Sequence, residues 1–145
     1  MTKYNNIKHS NNNNTINTIN NTINIVPFGK EDIGKICDDD DVKKIMNRCN
    51  YAMQELVKKV HFNKDHPENH NVYISNIKSP YTMIYKNNKW NIDDTEEVID
   101  KLYDDKYMYL EDKYYKMKDD LDDIIKSKMK RMIKNTSWIR NYGYI

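Results

Sequence analysis

Apolar residues return along this chain in three rhythms, and each predicts a different element. Val42, Ile45, Met46, Cys49, Met53, Leu56, Val57 and Val60 recur at helical spacing, which places them on one inward face of a helical approach. The rhythm then shortens to two. NVYISN (71–76), YTMIYK (81–86) and KWNI (89–92) read as three short strands, with IKSP and KNN as turns, so the economical arrangement is a three-stranded antiparallel meander. From Asp94-Thr95-Glu96-Glu97, a helix start with its acids in the first turn, no glycine or proline intervenes until after Asn135. Along this stretch Tyr103, Tyr107, Leu110, Tyr114, Met117, Leu121 and Ile124 alternate at spacings of four and three, a heptad seam. The stripe then shifts to Ile125, Met129 and Met132, as a stutter would produce. A helix of about 40 residues would run about 60 Å, longer than a domain this small can cover, and the far part of the seam is expected to find a second copy.

Ahead of these elements the pattern is polar. Ten of the first 24 residues are Asn, and TINTINNTINI (15–25) repeats a Thr-Ile-Asn triplet. Such a segment reads as low-complexity spacer; its Ile16, Ile19, Ile23 and Ile25 leave open an extended arm wrapping against copies of itself. Pro27-Phe28-Gly29 marks the end of this arm. The expected organisation is an arm at 1–26, a domain at 27–135 and an aromatic, basic tail at 136–145. The fold class is α+β: N-terminal helices, a small meander and one long C-terminal helix behind a low-complexity arm.

Composition narrows the function classes. The 145 residues carry a formal charge of only +2 and are 32% charged, with a mean hydropathy of −1.00, so no global field marks a nucleic-acid binder and part of the chain stays outside a core. No apolar run approaches a membrane span or a signal core, which predicts a soluble, non-secreted protein with no membrane partner. Cys37 and Cys49, without a CxxC, are expected as reduced thiols, a disulfide being the lesser alternative. Asp38 to Asp41 caps a helix; it lacks the alternating oxygens and the glycine of a calcium loop. Trp90 is expected to pack against the helix at 42–60.

Two groups of residues carry candidate chemistry. His61, His66 and His70, spaced around Pro67 with Asp65 and Glu68 nearby, could hold zinc or another divalent metal. Their arrangement resembles the His…Asn…His pattern of small metal-dependent nucleases. Against this stands a tight loop whose Asp, Asn and His side chains satisfy backbone groups. The second group follows Asp123, after which there is no acid: Lys126, Lys128, Lys130, Arg131, Lys134 and Arg140, interleaved with Trp138, Tyr142 and Tyr144. Cations suit a helix C-terminus; they equally suit a phosphate backbone with aromatic platforms for unpaired bases.

FGKEDI (28–33), VHFNKDHPENHNVYISN (60–76) and KWNIDDTEEVIDKLYDDK (89–106) together resemble a domain of giant-virus proteins of the mimivirus kind, over about residues 15–130. In those proteins the domain commonly follows an Asn/Thr repeat, and in many a zinc-finger-like segment precedes the repeat. The resemblance implies a viral protein acting inside the infected host or in the virion, and brings no mechanism with it. This chain has no Cys/His finger before its repeat, so a role carried by that finger does not transfer. Three function classes follow: a non-enzymatic, homo-oligomeric interaction module, expected first; a nucleic-acid-associated protein; and a metal-dependent nuclease built on the three histidines.

Overall fold

The computed structural model describes the backbone of residues 22–142 and side chains as far as Thr136. The expectations for the arm before residue 22, and for the side chains of Trp138, Arg140, Tyr142 and Tyr144, lie outside the described residues. The architecture is α+β, with four α-helices and a three-stranded antiparallel sheet among the described residues.

Helix α1 (Asp39–Asn47) starts where the acidic run predicts. Asp38 Oδ1 accepts from the Asp41 backbone N–H at 2.8 Å, and the Asp41 carboxylate accepts in return from the Asp38 N–H, a reciprocal cap that satisfies two orphan donors. Cys49, at φ +51, turns the chain through a short 3₁₀ segment into α2 (Ala52–His61). Cys37 and Cys49 are both free thiols.

The sheet is formed by β1 (Val72–Tyr73), β2 (Tyr81–Lys86) and β3 (Lys89–Asp94), in that spatial order. Asn87 and Asn88, both at positive φ, close the β2–β3 hairpin; a two-residue turn needs that conformation to match the strand twist, and Asn tolerates it. Pairing sets Val72 beside Ile84, and Ile84 beside Asn91. This face is covered by α3 (Thr95–Met117), whose Val98 and Leu102 join Val72 and Ile84 in a small core.

The pairing of Tyr85 with Trp90 and of Met83 with Ile92 puts these four on the opposite face. Trp90 is therefore not packed on the helix at 42–60: it lies on the outer face, edge-on to Tyr85 at 5.6 Å. Strand parity decides this, since β3 turns the polar Asn91 and Asp93 inward.

The long helix is present, but it is interrupted. Lys118–Asp120 tightens into a 3₁₀ turn, Leu121 is extended, and α4 (Asp123–Tyr142) begins anew. The Asp122 carboxylate accepts from the Ile125 N–H at 2.8 Å, capping the new helix. Four aspartates surrounding Leu121 supply this start, because carboxylates favour a helix N-terminus over a helix interior. The break folds the seam back on its own chain. Leu110, Tyr114, Met117 and Leu121, with Ile125 and Met129 of α4, form one core with Val42, Met46, Leu56 and Val60 of the first two helices. Tyr107 is buried as well, while Tyr103 and Ile124 remain exposed. α4 runs on to Tyr142, into the residues expected to form a separate tail.

Residues 26–31 strap the sheet to the helices. Phe28 N–H donates to Tyr85 O, and Lys30 N–H closes a turn on Pro27 O at 2.9 Å. Gly29, third in that turn, sits at φ +86, a region open to glycine and strained for other residues. Gly29→Ala is expected to cost about 1–2 kcal/mol, read as a lower urea midpoint with an unchanged slope.

Candidate functional site

The three candidate histidines do not converge. His66 Nδ1 bonds Glu68 Oε1 at 2.9 Å, and His70 Nε2 donates to the Asn63 carbonyl at 2.8 Å. Asn63 Oδ1 accepts from the Asp65 N–H. These side chains hold the loop's own backbone together, the plainer of the two sequence readings. Among the described residues no group of three His, Cys, Asp or Glu side chains is placed to hold a metal ion. The metal expectation is corrected for a simple reason: the end of α2 turns His61 into the core, where its ring is held by Asn71 and Lys106, while His66 and His70 are spent on Glu68 and the Asn63 carbonyl.

His61 belongs to a different constellation, one that the sequence reading did not foresee. Its ring is 0% exposed and lies between Asn71 and Lys106, itself only 1% exposed. Asn71 Nδ2 donates to Glu31 Oε1 at 2.6 Å and to the Val26 carbonyl at 3.0 Å, so the Asn71 carbonyl oxygen must face the histidine. His61 Nδ1 then carries the proton and donates to Asn71 Oδ1 at 2.9 Å. Nε2 is left to accept from Lys106 Nζ at 2.7 Å. Gly29 N–H donates to the same Glu31 oxygen at 2.9 Å.

The bonds run in one direction, Lys106 to His61 to Asn71 to Glu31. Chains ordered in this way polarise one another. Burial, reinforced by the Lys106 charge, pushes His61 down to about 4, so the ring is neutral near pH 7; the 3.9 Å approach of Glu31 to it is then no ion pair. Burial also lowers Lys106, opposed by the Glu31 carboxylate.

Shifted groups of this kind are the usual raw material of acid–base chemistry. Here they are sealed. A groove of ≈ 450 Å³ runs over Glu31 and Lys106, yet the Glu31 side chain is only 4% exposed. The cluster sits between the two cores: on α3, Lys106 lies one turn beyond Leu102 of the sheet core and one turn before Leu110 of the helical core. Its position makes it an internal brace. Helical spacing held the signal that would have found it, since Lys106 is four residues from each leucine and His61 four from Val57.

The basic residues of the last helix divide by face. Lys126, Lys130 and Lys134 follow one another at single turns and line one groove of ≈ 460 Å³ with Ile133 of the same helix, Tyr114 and Tyr115 at the end of α3, and Lys118 and Asp119 in the 3₁₀ turn after it. Lys118 Nζ stands over the Tyr115 ring, 6.0 Å from its centroid, and Tyr115 is exposed. Among the described residues no carboxylate lies within ion-pair distance of Lys126, Lys130 or Lys134.

Lys128 faces elsewhere. Its Nζ donates to the backbone and side-chain oxygens of Asn47 at 2.9 and 2.8 Å, holding the C-terminal end of α1 as the helix dipole favours. Arg131 is exposed away from the groove. Lys118 and Tyr115 precede Asp123 and so fall outside the run of cations and rings that the sequence presents.

A groove of similar size, ≈ 480 Å³, lies between the first two helices. It holds two engaged pairs, Lys59 with Asp41 at 2.9 Å and Arg48 with Glu55 at 3.7 Å, and is lined by Lys44 and Lys58 as well. Among the described residues no helix is long and apolar enough to cross a membrane. Comparison of the chain with protein-family models, with curated proteins and with solved structures finds no match.

Proposed function

We propose that the chain is a non-enzymatic interaction module that holds the phosphate backbone of a single-stranded nucleic acid in the groove between α3 and α4. One observation carries this reading: three lysines stacked at successive turns share a groove with Lys118, Asp119 and an exposed tyrosine, and among the described residues none of the three lysines has a carboxylate within ion-pair distance. Cations at one-turn intervals, about 5–6 Å apart, match the spacing of consecutive phosphates on an unstacked strand, and a tyrosine beside them offers a stacking face. The sealing of His61 and Lys106 favours binding over chemistry. Self-association through the heptad seam loses support, since Leu110, Tyr114, Met117 and Leu121 are engaged within their own chain. The resemblance to giant-virus proteins is compatible with this role and adds nothing to its geometry.

Fluorescence anisotropy of labelled single strands, titrated with salt, tests the proposal. Binding is expected in the micromolar range at low salt, weakening with a log–log slope of about −2 to −3, as three or four neutralised phosphates on a single strand require. Lys126→Glu/Lys130→Glu/Lys134→Glu is expected to weaken binding at least about tenfold, while Lys64→Glu on the far loop leaves it unchanged. Absence of binding at low salt, or equal loss from both variants, sinks the assignment.

A further inference from the structure

The outer face of the sheet is apolar and uncovered among the described residues. Tyr73, Met83 and Ile92 form one row across the three strands, and Tyr85 with Trp90 forms the next. Tyr81 continues the face on β2. Tyr73 is 62% exposed, Tyr81 64%, Trp90 43% and Ile92 69%. The charged group that shares this face is Asp94, whose carboxylate already caps α3 by accepting from the Glu97 N–H at 3.1 Å.

Large contiguous apolar patches on soluble proteins usually mark interaction sites. We infer that this face is an isologous interface, on which a second copy of the chain stacks its own sheet face to face. Two features select a second copy over other occupants. A two-fold axis brings a surface against itself, so any charge on it meets its like; this face presents aromatic rings, Met83 and Ile92, with its one carboxylate turned to a helix end. A phosphate-backboned partner would call for cations beside the rings, and the lysines nearest the hairpin, Lys86 and Lys89, lie on the opposite parity of the sheet.

Size agrees. With about 150–250 Å² available from each aromatic side chain, the exposed parts sum to about 500–600 Å² per copy, so a pair buries about 1,000–1,200 Å². That is the lower end of specific interfaces and predicts a reversible dimer with a micromolar Kd. Aligned sheets pack about 10 Å apart with interdigitating side chains, and rings that alternate with Met83 and Ile92 can interlock in that way. This surface is remote in sequence from the α3–α4 groove, and the inference does not depend on what the groove binds.

Sedimentation equilibrium of the full chain over a range reaching about 100 μM decides it, at both low and high salt. A dimer that persists in high salt is expected, and Tyr73→Lys/Ile92→Lys should raise its Kd at least about a hundredfold while leaving the thermal transition of the fold in place. Tyr81→Asp supplies a second, independent disruption at an exposed position. A chain that stays monomeric at the top concentration, or a dimer indifferent to both variants, overturns the inference. So does a monomer whose Trp90 emission, identified by comparison with Trp90→Phe, is quenched by an oligonucleotide: that outcome would give the face to bases.

Discussion

Replacing Lys106 with methionine is expected to destabilise the fold by about 1–3 kcal/mol, the range for leaving a buried hydrogen-bonding group without its partner. Methionine matches the aliphatic stem of the lysine, so packing changes little. What is lost is the cation that balances Glu31 across His61 and Asn71, together with the donor to His61 Nε2. Glu31→Gln keeps the oxygen that accepts from Gly29 and Asn71 and removes only the charge. The double variant Lys106→Met/Glu31→Gln should therefore recover at least half of the loss. Urea midpoints of the four proteins form a complete cycle. If the two single effects simply add, the residues act separately and the brace is not an electrostatic unit.

Acid is expected to weaken the protein in a window that belongs to His61. Its ordinary value is 6.5, and burial with the Lys106 charge lowers it to about 4 in the folded chain. Above pH 6.5 the ring is neutral in both folded and unfolded chains, and stability is fully present. Between 6.5 and 4 the unfolded chain takes up a proton that the folded chain refuses, and stability falls by about 1.4 kcal/mol per pH unit. Below pH 4 this contribution has been lost, at a total of about 3 kcal/mol. The charged groups facing the ring, Lys106 from α3 and Glu31 from the strap, oppose one another, so the window stays where burial puts it. The Asp41 carboxylate, lowered mainly by its hydrogen bond to Lys59, matters only at still lower pH. His61→Gln should be less stable at pH 7 and nearly flat from pH 7 to 5, and a wild-type urea midpoint that holds steady over the same range would contradict the assignment.

Much of the architecture was legible in residue pattern because local chemistry and tertiary burial agreed there. Tyr81–Lys86 is a strand with the bounds that alternation predicts, Asn87-Asn88 turns it, and Asp38 and Asp94 cap the helices that they precede. The sequence failed where one signal had two readings. A heptad stripe looks the same whether its partner is another chain or its own continuation beyond a break, and Asp119, Asp120, Asp122 and Asp123 were the overlooked mark of that break. Apolar content does not tell which face of a small sheet is covered, and Trp90 lies on the outer one. Lys106 was hidden among neighbours of its own kind, since residue type alone does not separate a buried lysine from the exposed ones around it. Of the basic groove, Lys126, Lys130 and Lys134 can be named from sequence; Lys118 and Tyr115 need the fold, because they come from the end of α3 and the 3₁₀ turn after it.

The polar layer between the two cores also fixes how α3 is threaded. Helices packed through leucines alone can slide by one turn, about 5.4 Å, and exchange one leucine seat for the next. On α3 such a slip would carry Leu102 or Leu110 opposite the lone pair of His61 Nε2 and drive the Lys106 ammonium into an apolar seat. Both errors are costly in a water-free interior. The lysine thus works as an alignment mark, leaving the helix one register in which both cores close together.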